Sequence, residues 1–146
     1  IIDDSGKSIA CFAVKKNVVI DRKIVEELKM LSQKFGKKDI RICLHNDREM
    51  NLHNMINLIY KKEENIPHKH VHKSESYHII EGRMKITTYN ENEDIIDKCF
   101  LDEKETFLYR VGKNTFHTTV PETEYVIFHE TRPGPFSIDG DSIFVK

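Results

Sequence analysis

Short alternating runs of apolar and polar residues dominate this chain and predict a mainly β protein. Ile40, Ile42 and Leu44 alternate with more polar neighbours, the period of two that places successive side chains on opposite faces of a strand. Many short strands about ten residues apart are typical of a sandwich or barrel, and the lack of crossover helices excludes a Rossmann-type site. Seven further strands are predicted at 55–60, 76–80, 83–89, 95–101, 106–111, 116–120 and 125–130.

One segment near the N-terminus has helical rather than strand periodicity. Between Ile24 and Phe35 apolar residues recur at spacings of three and four, which predicts an amphipathic helix over about 21–35. Asp21 is suited to cap the start of this helix, and Gly36 is suited to end it. We expect the helix to cover one end of a sheet.

The chain length fits a single domain. A protein of 146 residues can bury enough surface to hold a core without disulfides or zinc. We expect residues 1–40 to form an N-terminal extension that carries the helix, and residues 41–146 to form the barrel. Within the extension, residues 12–20 are a candidate for an added hairpin.

Composition and charge narrow the classes of partner. Apolar residues make up 38% and charged residues 32% of the chain, and 23 basic residues nearly cancel 24 acidic ones to a formal charge of −1. No excess charge steers the protein toward nucleic acid, and the apolar runs are too short for a membrane span. Three cysteines without a CxxC pair indicate reduced thiols and a cytoplasmic protein. We therefore expect no nucleic-acid partner and no transmembrane segment.

The most informative segment is rich in histidine. His68 and His70 are two positions apart, so both imidazoles project to one face of an extended chain, and Glu75 follows five residues later. Two imidazoles and a carboxylate suit a divalent metal ion. His117 opens another predicted strand and is the candidate for a fourth ligand. Two alternatives stay open, because His72 has the same parity as His68 and His70, and because a Lys- and His-rich segment is also typical of a solvated loop.

These residues resemble the first metal-binding motif of the cupin superfamily. The spacing from His68 and His70 to Glu75, and on to a closing Gly82, is similar to that motif. Lys62 stands at the position where the motif usually begins with glycine.

A second segment resembles the second cupin motif, which ends in histidine. Gly112 and Asn114 precede His117 at the expected spacing, although the motif usually has proline and glycine at these two positions. Asparagine tolerates a left-handed backbone, so the turn that the motif needs is feasible. Pro121 replaces the asparagine that usually follows.

The similarity extends beyond the two motifs to the WbuC family of cupin-fold metalloproteins, which is associated with gene clusters for bacterial surface polysaccharide and O-antigen synthesis. It covers roughly residues 21 to 138 and implies a cupin-type double-stranded β-helix, or jelly-roll, barrel with a helical lead-in. The residues that carry it are Arg41 to His45, Met55, Pro67 to His70, Lys73, Glu75, Gly82, Phe116, His117, Glu130 and Gly134 to Phe136.

The resemblance also implies a cofactor. One divalent metal ion is expected, with zinc, iron, manganese and nickel as the candidate elements. Four protein ligands leave two positions open on a six-coordinate ion, whereas they fill a four-coordinate zinc site and favour a structural role. The implied ligands are His68, His70, Glu75 and His117.

Three functions are open at this stage. The first is a metal-binding cupin that acts on a sugar-derived small molecule in bacterial surface polysaccharide biosynthesis, by isomerase, epimerase or related metal-assisted chemistry. The second is an Fe(II)-type cupin dioxygenase, since two histidines and a carboxylate on one face also support oxygen chemistry. The third is a non-catalytic sugar- or metal-binding module. The sequence therefore leaves open whether the protein is an enzyme.

The mouth of a small barrel is a common place for a ligand pocket, here for a sugar or sugar nucleotide. Guanidinium groups bind carboxylate or phosphate in a bidentate manner. Cupins commonly pair by sheet extension or strand exchange, so the resemblance implies a homodimer, with residues 9–20 as a candidate exchanged strand. The candidate substrate-binding residues are Arg41, His45, Lys73 and Arg110.

Overall fold

The computed structural model describes residues 1–63, 65–137 and 141–145, which form one helix and two β-sheets. Helix α1 spans Arg22–Lys34. In chain order, the strands of the described residues are β1 (Ile2–Asp3), β2 (Ile9–Phe12), β3 (Ile40–Cys43), β4 (Leu52–Tyr60), β5 (His68–Lys69), β6 (Glu75–Glu81), β7 (Met84–Tyr89), β8 (Ile95–Leu101), β9 (Leu108–Val111), β10 (Phe116–Pro121), β11 (Tyr125–Pro133) and β12 (Ile143–Phe144).

The two sheets form a jelly-roll-like sandwich, and the protein is mainly β, as predicted. The larger sheet has the strand order β1-β2-β3-β4-β11-β6-β9, and the smaller sheet has the order β12-β5-β10-β7-β8. The chain passes back and forth between the sheets as β9, β10 and β11 follow one another. All eight strands predicted from alternation are present, with ends that differ by a few residues.

The N-terminal hairpin lies earlier in the chain than predicted. β1 and β2 pair antiparallel, and β2 then runs parallel to β3 of the same chain. The expectation of a hairpin at 12–20 is therefore wrong. Ile9 and Ala10 are fully buried beside β3, whereas residues 14–17 are exposed, so burial fixes the strand at 9–12. The division of the chain at residue 40 stays a prediction.

Helix α1 lies on the outer face of the larger sheet. Asp21 caps it, because its Oδ1 accepts a hydrogen bond from the backbone N–H of Ile24 at 2.9 Å. Val25 and Leu28 are buried, and burial of an aliphatic side chain of this size contributes about 1.5–3 kcal/mol. No helix among the described residues has the length and apolar character that crossing a membrane requires. The helix packs on Ile9, Ile40, Ile56, Leu58 and Ile127 of the sheet.

Alternation along β3 separates the helix-packed face from the interior. Ile40 and Ile42 pack in the cluster with the helix. Arg41 and Cys43 point the other way and line a cavity between the sheets. The polar face of this strand therefore faces the inside of the sandwich and not bulk solvent.

An apolar cluster fills the rest of the interior. Tyr77 and Phe128 belong to it and also border the cavity, with ring centroids 5.8 Å apart. The cavity therefore has a rigid apolar base and a polar wall. The buried members of the cluster are Tyr77, Ile79, Met84, Ile86, Leu101, Val111, Val126 and Phe128.

Candidate metal centre

The four predicted metal ligands meet between the two sheets. His68 in β5 pairs directly with His117 in β10 of the smaller sheet, and Glu75 begins β6 of the larger sheet. The ligand atoms of His68, His70 and Glu75 all lie within 4.8 Å of one another. His117 Nε2 lies 3.5 Å from Glu75 Oε2. Three imidazoles and one carboxylate thus share one buried or half-buried cluster.

Backbone geometry holds the two motifs together. Asn114 has φ +57°, the left-handed conformation expected of it, and its backbone N–H donates to the carbonyl oxygen of His70 at 2.7 Å. Gly82 has φ +89°, and a Cβ there would lie 2.7 Å from the carbonyl oxygen of Tyr125. Glycine is therefore required where the first motif ends.

Two imidazoles of the cluster are oriented by backbone partners. His70 Nδ1 contacts the carbonyl oxygen of Asp141, and His117 Nδ1 lies 2.9 Å from the carbonyl oxygen of Thr115. A carbonyl oxygen only accepts, so each Nδ1 carries a proton, and each Nε2 is the nitrogen that could bind a metal ion.

The Nε2 atoms of both rings lie beside the same carboxylate. His70 Nε2 lies 2.9 Å from Glu75 Oε1, and His117 Nε2 lies on the side of Oε2. Two acceptors facing each other repel unless a proton or a metal ion lies between them. The donor set and its arrangement therefore fit a cation held by imidazole nitrogens and a carboxylate oxygen, with backbone carbonyls that hold the rings in place through Nδ1.

Burial and the close contacts within the cluster shift the pKa values of its ionisable groups. Burial and the neighbouring His117 imidazole lower the pKa of His68 to about 4, so this ring is a neutral ligand. Burial opposes ionisation of Glu75, but its contacts with the His117 and His70 imidazoles and the hydrogen bond from Tyr77 outweigh it and hold the pKa of Glu75 far below its ordinary value. Burial also disfavours the charged form of His70, but the contact of its Nε2 with the Glu75 carboxylate outweighs it and raises the pKa of His70, so a proton and a metal ion compete for this nitrogen.

Sequence reasoning missed the charged residues behind the cluster. Arg132 Nη1 lies 3.3 Å from Glu75 Oε1 and 3.0 Å from Asp141 Oδ2. Lys73 Nζ lies 2.5 Å from Asp141 Oδ1. Neither Arg132 nor Asp141 has a motif around it, and only the tertiary structure brings them to Glu75 and His70.

A cavity of about 610 Å³ lies beside the histidine cluster. Of the predicted substrate-binding residues, Arg41 and His45 line it. Lys73 and Arg110 are not among its lining residues in the part of the chain that is described. Lys73 instead binds Asp141. Arg110 is on the outer strand β9, and its Nη2 lies 3.3 Å from Ser74 Oγ.

The cavity wall contains a further carboxyl group that the sequence did not single out. Glu130 on β11 lines the cavity, and its Oε2 accepts a hydrogen bond from Asn57 Nδ2 at 2.9 Å. Burial, together with the negative charge of Glu75, raises the pKa of Glu130 to about 7.

The other histidines of the segment lie away from the cluster. His72 and His78 are exposed, and the His78 ring packs near Phe107 with centroids 5.5 Å apart. The parity of His72 therefore does not bring it to the cluster, because the chain turns between β5 and β6.

The fold and the buried histidine–carboxylate cluster define a cupin-type barrel with a candidate metal centre. The chain belongs to the family described as domain of unknown function DUF6016, whose model matches residues 20–101, more than half of the sequence. No curated protein matches the chain.

Solved structures with similar folds confirm the cupin architecture. The capsular polysaccharide assembling protein CapF from Staphylococcus aureus has a TM-score of 0.61 at 13% identity, over 73% of this chain and 29% of that one. Oxalate decarboxylase from Bacillus subtilis has a TM-score of 0.55 at 13% identity, over 73% and 27%. The enzyme of the same name from Lactobacillus farciminis has a TM-score of 0.51 at 15% identity, over 66% and 27%. The chain thus spans less than a third of each of these proteins, and at such low identity the similarity shows the fold.

Proposed function

We propose that the protein is a metal-dependent cupin that acts on a sugar-derived small molecule in bacterial surface polysaccharide biosynthesis. One observation carries the metal: the Nε2 atoms of His70 and His117 face the carboxylate of Glu75, while the Nδ1 atoms of both rings contact backbone carbonyls. Together with His68, these residues would hold one divalent ion, for which zinc, iron, manganese and nickel are the candidates.

The metal ion and the surrounding side chains have different roles in the proposed site. A bound divalent ion supplies Lewis acidity toward an oxygen of the substrate. Arg132 and Tyr77 hold the Glu75 carboxylate in place. Arg41 and His45 lie on the cavity wall, where they contact and orient the substrate. The cavity volume of about 610 Å³ lies in the usual range of small-molecule sites.

Two lines of similarity support the substrate class. The WbuC-like pattern includes Arg41, His45 and Glu130. All three residues line the same cavity, where a ligand would contact them. CapF, which shares the fold, is described as a capsular polysaccharide assembling protein. We therefore place the reaction among isomerase-, epimerase- or related metal-assisted conversions of sugars.

We also propose that the protein is a cytoplasmic homodimer. Two outer strands, β8 of the smaller sheet and β9 of the larger, carry exposed apolar side chains, including Ile96, Phe100 and Leu108, which a second copy would cover. Light scattering coupled to size-exclusion chromatography tests this: a mass of a single chain at micromolar concentration contradicts it.

The function is tested by turnover of a panel of nucleotide-linked and free hexoses with protein purified without a histidine tag. We expect conversion that is lost on chelation, restored by one of the four candidate metals and absent in His70→Ala. Oxygen uptake with Fe(II) identifies a dioxygenase instead. Binding that persists in His70→Ala, with no turnover by the native protein, identifies a non-catalytic module and contradicts the proposal.

A further inference from the structure

The cavity wall carries a diagonal row of polar side chains between Arg41 and the metal-ligand cluster. Arg41 in β3 pairs with Asn57 in β4, and Glu130 in β11 pairs with Met55, two residues before Asn57. Arg132 follows two residues beyond Glu130 and contacts Glu75. The strand order β3-β4-β11-β6 therefore puts Glu130 between Arg41 and the cluster.

Arg41 differs from the other arginines of the cavity in its partners. Arg48 Nη2 lies 2.5 Å from a carboxylate oxygen of Asp3, and Arg132 is bonded to two carboxylates near the cluster. Arg41 Nη1 instead donates to the hydroxyl of Ser8 at 2.9 Å. Among the described residues, no carboxylate lies within ion-pair distance, 4.0 Å, of the Arg41 guanidinium. Its positive charge is therefore available to a ligand.

Glu130 lies near Arg41 on this wall but forms no ion pair with it. Burial and the charge of Glu75 raise the pKa of Glu130 to about 7, against the opposing effect of Arg132 and Arg41. Its Oε2 is occupied by Asn57. Its Oε1 lies 3.9 Å from Arg132 Nε, a buried atom without a hydrogen-bond partner in the described chain. Both oxygens of Glu130 thus face partners other than Arg41, and the Arg41 guanidinium keeps no ion-pair partner among the described residues.

We infer that this wall is a carboxylate subsite and that the substrate is a sugar acid of about hexose size, with its carboxylate on Arg41 and its ring hydroxyls directed at the metal-ligand cluster. The inference rests on the proposed function, which it narrows to acidic sugars. A hexuronic acid fits because its carboxylate and its vicinal hydroxyls lie on opposite sides of one ring. A guanidinium binds a carboxylate with two parallel hydrogen bonds, and a phosphate is the other common anion that it can bind.

Isothermal titration calorimetry with four probes tests the inference. Galacturonate and glucuronate supply the carboxylate, galactose has the same ring without charge, and galactose 6-phosphate supplies the other common anion. Each is titrated into metal-loaded protein and into protein treated with a chelator. We expect at least one uronate to bind about tenfold or more tightly than galactose, as a charge-assisted hydrogen bond to guanidinium requires.

Two matched variants locate the effect. Arg41→Gln should weaken uronate binding by about tenfold or more and leave the metal content unchanged. Arg110→Gln, on the outer strand β9 and outside the cavity lining, should leave uronate affinity within about twofold. Thermal unfolding of both variants verifies that they are folded.

The remaining outcomes separate this inference from the proposed function. Equal affinity for uronates and galactose, no uronate binding, tighter binding of the phosphate, or an unchanged Arg41→Gln variant each overturns the carboxylate subsite. If the native protein takes up no metal but still binds uronate through Arg41, the subsite stands and the metal-dependent function fails.

Discussion

His117 lies directly opposite His68 in the antiparallel pairing of β10 with β5, and their ring centroids are 4.5 Å apart. Directly opposed residues project to the same face of a sheet. A shift of one residue in this register would turn His117 to the other face and remove it from Glu75. The candidate centre therefore depends on strand register as much as on the histidine motif.

Tyr77 is expected to tune metal affinity through its hydroxyl group. The hydroxyl donates to Glu75 and lies 3.1 Å from His117 Nε2. Tyr77→Phe keeps the packed ring but frees the carboxylate, so we expect metal affinity to fall by about tenfold, measured by competition with a chelator of known affinity.

Tyr89→Phe is the control for this variant. The Tyr89 hydroxyl lies 3.3 Å from Thr118 Oγ1 and does not touch the ligands, so its removal should leave metal affinity unchanged. Equal affinities for the two variants would show that the Tyr77 hydroxyl does not orient the carboxylate.

Lys73 is expected to act on the metal centre through the C-terminal segment. Its Nζ lies 2.6 Å from the carbonyl oxygen of Pro135 and 2.5 Å from Asp141 Oδ1, and the carbonyl of Asp141 receives the His70 Nδ1–H. Lys73→Ala should loosen this segment and lower metal affinity several-fold to tenfold. Lys85→Ala, which removes a half-exposed lysine 4.0 Å from Glu122, is the control. A loss of affinity in both variants would show that the change in net charge lowers metal affinity, and that Lys73 does not act by positioning His70.

The two left-handed glycines are expected to differ in their tolerance of a side chain. A Cβ at Gly82 would lie 2.7 Å from a backbone oxygen, whereas a Cβ at Gly36 would meet nothing within 4 Å. Gly36→Ala should therefore cost only the left-handed conformation, about 1 kcal/mol, and Gly82→Ala about 3 kcal/mol with the added clash. Urea unfolding at one pH measures both, and equal losses would contradict the close approach at Gly82.

Alternation was sufficient to predict the strands because a one-sided burial pattern leaves a period of two in the sequence. It did not say which face is buried. Arg41 and Asn57 line the cavity, although a polar face of an antiparallel strand usually faces water. Strands of two residues, such as β5 at His68–Lys69, are too short for any periodicity.

The histidine–carboxylate cluster was predictable as far as local spacing and the family pattern extend. His68, His70 and Glu75 lie close in the sequence, and the structure brings their ligand atoms together. Arg132 and Asp141 reach the cluster only through the register of β11 and the path of the C-terminal segment, which no local pattern encodes. Metal identity, oligomeric state and the WbuC relationship stay predictions.

His45 should make the stability of the protein depend on pH. Burial, followed by the charges of His53 and nearby arginines, lowers the pKa of His45 to about 4 from an ordinary value of about 6.5. The unfolded chain then binds more protons than the folded one between these values, so stability is full above about pH 6.5 and is lost as pH falls toward 4.

We expect His45→Gln to reduce that loss. Between pH 7 and pH 5 the unfolding free energy of the native protein should fall by about 1–2 kcal/mol more than that of the variant, measured by urea unfolding at both pH values. His78→Gln, at an exposed position, should follow the native protein. Parallel pH profiles for native protein and His45→Gln would mean that His45 is not held neutral.

The most direct test is the metal content of the protein purified without a histidine tag, measured by inductively coupled plasma mass spectrometry. We predict one divalent ion per chain at neutral pH, loss of that ion in His70→Ala, and retention in His72→Ala, whose side chain is exposed two residues away. A native protein that takes up no ion, or a His70→Ala variant with unchanged metal content, would contradict the account.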